Sequence, residues 1–191
     1  MIDMIAAYLG ERFKAAIFGP AAVVHTAAAL WAAGTSVGAA PVARTLGLAV
    51  ILLLQFRLWD DLEDRERDRR LHPGRVLARD NPAPFRWACG LLAAANIVLL
   101  VIAGSRDAVL GLACLDLFFW ISYGPLRQRI PDRIWRFQIL LLKYPAFVGV
   151  LASALGTPIR MRLFTAAAAV YLCACAYEAL HDRHIPLGAT L

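Results

Sequence analysis

Residues 43–70 read ARTLGLAVILLLQFRLWDDLEDRERDRR, an apolar run that ends in a densely charged segment. The apolar part approaches the ~20 residues that a helix needs to cross a bilayer. Because lipid offers no hydrogen-bond partners, a spanning segment satisfies its backbone as an α-helix or in a closed barrel, and long apolar runs favour helices. The stretch therefore predicts a membrane helix that ends in charges at the bilayer surface.

The rest of the chain shares this apolar character. Of its 191 residues, 60% are hydrophobic, and the mean hydropathy of +0.60 is well above that of an ordinary soluble domain. The pattern predicts an all-α polytopic membrane helical bundle of about six transmembrane helices, folded as a single transmembrane domain over residues 1–191. The six apolar runs cover residues 15–33, 43–59, 84–103, 107–125, 138–155 and 162–180.

The formal net charge of +6 comes from basic residues that lie mostly between the apolar runs. This distribution is typical of membrane topology, so no nucleic-acid partner is expected. By the positive-inside rule, both termini and the loops 57–83 and 124–137 are cytoplasmic, and the bacterial inner membrane is the expected location. Of the 20 basic residues, 15 lie on this side, 4 lie on the other (Arg44, Arg106, Arg160 and Arg162), and Lys143 falls within a helix.

The charged segment holds several acids at helical spacing. On a helix that extends from the short second apolar run, Asp61, Asp64 and Asp68 share one face, and Arg57 lies one turn earlier. Carboxylates on one face repel each other unless a cation lies among them, and Mg2+ takes oxygen ligands together with substrate phosphates. The spacing predicts a Mg2+ site. The alternative is a solvated helix held by pairs four residues apart, namely Asp61–Arg65, Glu63–Arg67 and Glu66–Arg70.

A short stretch after the acids, HPGRVL at residues 72–77, contains Arg75. Guanidinium groups bind phosphate oxygens through paired hydrogen bonds. Carboxylates for Mg2+ and arginine for phosphate are the combination that a diphosphate requires. The segment therefore indicates diphosphate binding at the membrane surface.

The acidic segment resembles the first aspartate-rich signature of the UbiA family of intramembrane prenyltransferases. That signature reads NDxxDxxxD at the cytoplasmic end of the second helix. Asp61, Asp64 and Asp68 match its three aspartates. Asp60 stands where the family usually has its asparagine. The resemblance, which follows helix order along the whole chain, implies that the three matching aspartates hold Mg2+ on a prenyl diphosphate and act in catalysis.

Two further stretches are similar to elements of the same family. HPGRVL looks like its H/N-P-x-R-P-L/V element, with Arg75 at the arginine. SYGPLRQR at residues 122–129 is similar to its Tyr-Ser-x-x-x-Lys/Arg segment after the fourth helix, with Tyr123 and Arg127 in the matching region. The substrate-binding residues expected from the resemblance and from their charge are Arg57, Asp60, Arg75, Tyr123, Arg127 and Lys143.

The family fold has nine spanning helices and a second aspartate-rich motif after the sixth. At that place this chain has YEALHDRH at residues 177–184. Glu178 and Asp182 are four residues apart, and the resemblance implies that they hold a second Mg2+. The fold is therefore expected to be UbiA-like without the last three helices.

The resemblance implies Mg2+-dependent transfer of an isoprenoid group from a polyprenyl diphosphate to a lipophilic or aromatic acceptor. Two alternatives stay open. One is a non-catalytic protein of this fold that binds a prenyl lipid or a partner subunit, and the other is a terpene cyclase that uses no acceptor. Besides membrane lipid, a second copy of the chain is an expected partner, because it would close the flank left by the missing helices.

Two ionisable residues, Asp116 and Lys143, lie within apolar runs. Charges at such depth usually pair with each other or line a cavity. The sequence leaves open an Asp116–Lys143 ion pair and a role for Lys143 in binding phosphate.

Overall fold

The structure, a computed structural model, describes residues 2–34, 38–131, 138–158 and 160–181. Within these ranges every regular element is a helix and no strand occurs, so the predicted all-α class is confirmed. A π-helical turn (Ser122–Leu126) and a 3-10 turn (Arg127–Arg129) follow the seventh helix, and a 3-10 turn (Leu140–Leu142) precedes the eighth. The helices are α1 (Ile2–Arg12), α2 (Ala15–Ala33), α3 (Ala39–Glu63), α4 (Arg65–Leu71), α5 (Val76–Arg79), α6 (Ala83–Ile102), α7 (Arg106–Ile121), α8 (Lys143–Ala154) and α9 (Met161–His181).

Five helices in the described part of the chain are long and apolar enough to cross a membrane: α2, α3, α6, α7 with its π-helical turn, and α9. By length and composition they indicate an integral membrane protein built as a helical bundle. The remaining predicted run, 138–155, forms the apolar segment Leu140–Ala154, which is shorter than a full spanning helix. Five helices of full length and one short helix thus replace the expected six.

The short helix α8 occupies the centre of the bundle. It contacts α2, α3, α7 and α9. Its side chains Phe147, Val148 and Leu151 are buried in the main hydrophobic cluster. Because protein covers its sides, its apolar length does not have to match the thickness of the hydrocarbon layer.

α3 extends beyond its apolar run, as expected, through Asp60 and Asp61 to Glu63. Asp64 then forms a turn with φ −81° and ψ 0°, and α4 begins at Arg65. The turn interrupts the regular helical spacing on which a shared face of the aspartates depends. Only Asp60 and Asp61 therefore stay on the membrane helix itself.

α1 is a separate short helix that the sequence analysis did not distinguish from α2. Tyr8 of α1 is buried in a second hydrophobic cluster with Leu58 of α3 and Phe85 of α6. Glu11 accepts a hydrogen bond of 3.0 Å from the backbone N–H of Val76, which begins α5. α1 thereby covers the end of α3 and fixes the start of α5.

Candidate functional site at the charged end of the bundle

Most of the residues predicted to form a site gather at one end of the bundle, which we call the charged end. α3 ends there, α8 begins there with Lys143, and α1, α4 and α5 pack beside them. α7 contributes Tyr123 from its π-helical turn. The charge of Glu178, near the end of α9, acts on Tyr144 of α8. Segments that are far apart in sequence therefore meet at this end.

Asp61 is buried and is held by two side chains of α1. Tyr8 Oη lies 2.9 Å and Arg12 Nε lies 3.0 Å from Asp61 Oδ2. Arg57, one turn earlier on α3, places its Nη2 atom 3.2 Å from Asp61 Oδ1. Two guanidinium groups and a phenol thus offset the cost of burying this carboxylate.

The pKa values of the two α1 side chains follow from this pairing. Burial, reinforced by the charge and the hydrogen bond of Asp61, raises the pKa of Tyr8 above its usual value. Burial of Arg12 favours its neutral form, but the hydrogen bond and the charge of Asp61 outweigh burial and raise the Arg12 pKa. Both side chains therefore stay protonated and act as donors at neutral pH.

Asp60 faces a different set of partners. Its Oδ1 atom accepts a hydrogen bond from Tyr123, and its Oδ2 atom forms an ion pair with Lys143, which is 5% exposed. The open alternative of an Asp116–Lys143 pair is wrong, because Asp116 Oδ1 instead accepts a hydrogen bond of 2.9 Å from Gln55. Asp116 lies seven residues before Tyr123, which is about 10 Å along the helix axis.

Arg57 lies near both Asp60 and Asp61, one turn earlier on α3. Its charge acts on Lys143 and on Tyr144, while its Nη2 atom reaches Asp61. The buried Nε atom of Arg57 has no hydrogen-bond partner among the described residues. A buried guanidinium N–H without an acceptor is costly, so this donor could bind an acceptor atom of a ligand.

α4 carries the outer part of the acidic segment. Asp68 Oδ1 lies 2.6 Å from Arg75 Nη1, which joins the two predicted motifs. Arg65 donates hydrogen bonds of 2.8 and 2.9 Å to the backbone carbonyls of Leu77 and Asp80. These contacts hold the 72–80 segment against α4, so that Arg75 stays near the acids.

The pairing differs from both patterns expected from the sequence. Asp61 pairs with arginines of α1 and α3 rather than with Arg65, and Glu66 pairs with Arg69, three residues away, at 2.9 Å. In the ranges that the structure describes, no three His, Cys, Asp or Glu side chains form a group placed to hold a metal ion. Successive side chains on a helix point about 100° apart, so Asp60 and Asp61 reach different bases. The Mg2+ site stays a prediction.

The other predicted residues lie as follows. Asp64 is half-buried in the turn between α3 and α4, and Arg127 is half-buried just after the π-helical turn. Glu178 lies in the last turn of α9, at the charged end. Asp182 lies outside the described residues.

The sequence analysis missed three residues of this region: Tyr8, Arg12 and Gln55. Tyr8 and Arg12 stand four apart on α1, so they share a helix face, and that spacing was the available signal. Gln55 is a polar residue inside an apolar run and is fully buried, which indicates a specific role. No local spacing links Arg12 to Asp61, which is 49 residues away.

These contacts define an integral membrane helical bundle with an arginine-rich, ion-paired end. No protein-family model, no curated protein and no solved structure matches the chain. Its function is therefore inferred from its residues and their geometry.

Proposed function

We propose that the protein is a Mg2+-dependent intramembrane prenyltransferase of the UbiA type. It would move an isoprenoid group from a polyprenyl diphosphate to a lipophilic or aromatic acceptor. The observation that carries the proposal is Arg57, a half-buried arginine whose buried Nε donor lacks a partner among the described residues while its charge acts on Lys143. Two adjacent cations with an unused donor suit the oxygens of a diphosphate.

The acids at the charged end have the right chemistry for Mg2+, which prefers oxygen ligands and shares them with phosphates. Asp61 and Asp68 are each paired with arginine, and Asp60 is paired with Lys143. If the metal and the diphosphate arrive together, each acid can exchange its base for the metal while each base exchanges its acid for a phosphate oxygen. No charge is then left unpaired. Asp61, Asp64 and Asp68 would hold the first metal ion, and Glu178 and Asp182 would hold a second.

The bases would act on the leaving group. As the allylic C–O bond breaks, negative charge builds on the departing pyrophosphate, and Arg57, Arg75, Arg127 and Lys143 would neutralise it. The bound metal would add Lewis-acid stabilisation of the same charge. The new bond would form between the allylic carbon and the acceptor, which then loses a proton. The apolar bundle and the surrounding hydrocarbon would keep water from the cationic carbon.

For orientation, we propose that the charged end faces the cytoplasm across a bacterial inner membrane, with both termini on that side. The excess of basic residues in the segments at this end supports the proposal through the positive-inside rule. The diphosphate headgroup of the substrate would then bind from the cytoplasmic side.

The test is to supply membranes with radiolabelled prenyl diphosphates of several lengths, with and without Mg2+, and to measure lipid products and pyrophosphate release. Asp64→Asn should abolish the Mg2+-dependent release, because it removes a charged oxygen ligand. Glu66→Gln is the matched control, since the Glu66 side chain is 74% exposed on the same segment and should leave release unchanged. Normal turnover in Asp64→Asn would remove the metal assignment.

A second function, binding of a prenyl lipid or of a partner subunit without turnover, is favoured by the ion pairs that occupy the carboxylates. It predicts that prenyl diphosphate binds without Mg2+ and that no pyrophosphate is released. A cyclase, in contrast, would release pyrophosphate and form a cyclic product with no acceptor present. The same labelled substrates therefore separate the three functions.

A further inference from the structure

A cavity of about 430 Å3 lies between α3, α6 and α7, outside the ion pairs described above. Its size is within the range of small-molecule sites. The lining residues are Gln55, Trp59, Leu62, Glu63, Arg86, Cys89, Gly90, Ala93 and Asp116.

A chain of amide hydrogen bonds ends on Asp116, one of the two acids in the lining of this cavity. Asn96 Nδ2 donates to Gln55 Oε1 at 2.7 Å, and Gln55 Nε2 donates to Asp116 Oδ1 at 2.9 Å. Asn96 and Gln55 are both fully buried, and because an ionised Asp116 can only accept, each amide directs its donor toward it. The hydrogen bond from Gln55 occupies Asp116 Oδ1 and holds the carboxylate in place, which leaves Oδ2 to accept from a ligand.

Asp116 forms no ion pair with any residue that the structure describes. An ionised carboxylate at this depth is costly unless a cation or a proton joins it. The lining holds two acids, Asp116 and Glu63. Arg86 is the one basic residue in the lining, and its charge acts on Glu63. The lining therefore favours a positively charged ligand.

We propose that this cavity binds an organic ammonium ion that carries an apolar group, with Asp116 as its counterion. A bare metal ion is far smaller than the cavity, and the walls offer alkyl and aromatic surface from Trp59, Leu62 and Ala93 beside the two carboxylates. The ammonium group lies at Asp116 Oδ2, the indole of Trp59 offers a π face to the cation, and Leu62 and Ala93 contact its hydrocarbon. The site does not depend on the proposed transfer reaction.

The test is calorimetric titration of octylammonium into the protein in nanodiscs of zwitterionic lipid, with empty nanodiscs subtracted. We expect saturable binding of about one octylammonium per chain and none for 1-octanol, which has the same chain length without the charge. Asp116→Asn should weaken binding about tenfold or more, because it removes a charge-assisted hydrogen bond while its amide oxygen can still accept from Gln55. Asp107→Asn, an exposed acid on the same helix, should bind like the unaltered protein.

A second variant tests whether the ligand binds inside the cavity. Gly90 lies in the lining, and a side-chain carbon added there would meet no atom within 4 Å, so Gly90→Leu should fold and fill the space. Binding should then be lost although Asp116 is intact. Non-saturable uptake equal to that of empty nanodiscs, or equal affinity in Asp116→Asn and the unaltered protein, would overturn the proposal. Either result would leave the proposed prenyl transfer untouched, because that reaction is measured in a separate assay.

Discussion

At the scale of single residues, Asp61 illustrates how a buried acid is kept at the membrane surface. Its side chain is 5% exposed, and Arg12, Arg57 and Tyr8 all contact its oxygens. Removing one partner of a buried ion pair leaves the other charge unpaired, which typically costs about 3–5 kcal/mol, whereas removing both is often neutral. The packing of α1 against the bundle therefore depends on the charge of Asp61 on α3.

We predict that Arg12→Leu lowers the free energy of unfolding by about 3 kcal/mol, at the low end of this range because Arg57 and Tyr8 still contact Asp61. Titration with denaturing detergent in mixed micelles, followed by circular dichroism, measures the change. Lys14→Leu removes an exposed cation two residues away and should change stability by less than about 0.5 kcal/mol. The double variant Arg12→Leu with Asp61→Leu should recover most of the loss. If Arg12→Leu proved as stable as Lys14→Leu, the Arg12–Asp61 pair would contribute nothing to stability.

Some of these contacts could be foreseen from sequence and others could not. Asp60, Lys143 and Tyr123 were expected in one substrate site, and they do meet in the structure. Asp60 and Tyr123 were expected there from the resemblance, and Lys143 was expected from its charge within an apolar run. The specific pairs depend on helix rotation and packing, which no local pattern encodes, so the partner of Lys143 was left open and Arg12 was missed.

At the scale of elements, the short helix α8 has a larger structural role than its length suggests. It contacts four other helices, and Phe147 is 1% exposed at their junction, with its ring centroid 5.0 Å from that of Phe56. In a membrane, lipid is as apolar as the core, so helices associate through packing rather than through the removal of apolar surface from water. A void at Phe147 would therefore weaken several helix contacts at once.

We predict that Phe147→Ala lowers the free energy of unfolding by about 2–3 kcal/mol, less than the 3–5 kcal/mol typical of soluble cores because the gain from water exclusion is small. Phe164→Ala is the matched control, since Phe164 lies on α9 and is 60% exposed. It should change stability by less than about 1 kcal/mol. The same detergent titration measures both. A Phe164→Ala effect as large as that of Phe147→Ala would contradict the central position of α8.

The apolar runs predicted where the main helices lie, because a spanning segment must be continuously apolar. The same rule did not reveal that α8 is short, since an apolar run reports burial and cannot distinguish lipid from protein as the cover. Nor did it separate α1 from α2. The contacts that hold α1 in place, Tyr8 with Asp61 and Glu11 with Val76, join residues far apart in the sequence. No local pattern could therefore reveal them.

At the scale of the whole molecule, the two ends of the bundle differ in both charge and connection length. The end opposite the charged one has glycine turns just after α2, α6 and α8, formed by Gly34, Gly104 and Gly156 with φ of 68°, 73° and 73°. A left-handed φ suits glycine and closes a helix tightly. The charged end instead carries α1, α4, α5 and most of the basic residues. This asymmetry bears directly on orientation in the membrane.

We predict that the charged end faces the cytoplasm, because basic residues near the ends of membrane helices are retained on that side. Two exposed glycines provide a matched pair of reporters: Gly38 precedes α3 at the opposite end, and Gly74 lies between α4 and α5. A side-chain carbon at either position meets no atom within 4 Å, so Gly38→Cys and Gly74→Cys should both fold. In a background with the native cysteines replaced by alanine, a membrane-impermeant maleimide applied to intact spheroplasts should label Gly38→Cys, and should label Gly74→Cys only after permeabilisation. The reverse pattern would place the charged end, and with it the proposed diphosphate site, on the outer face.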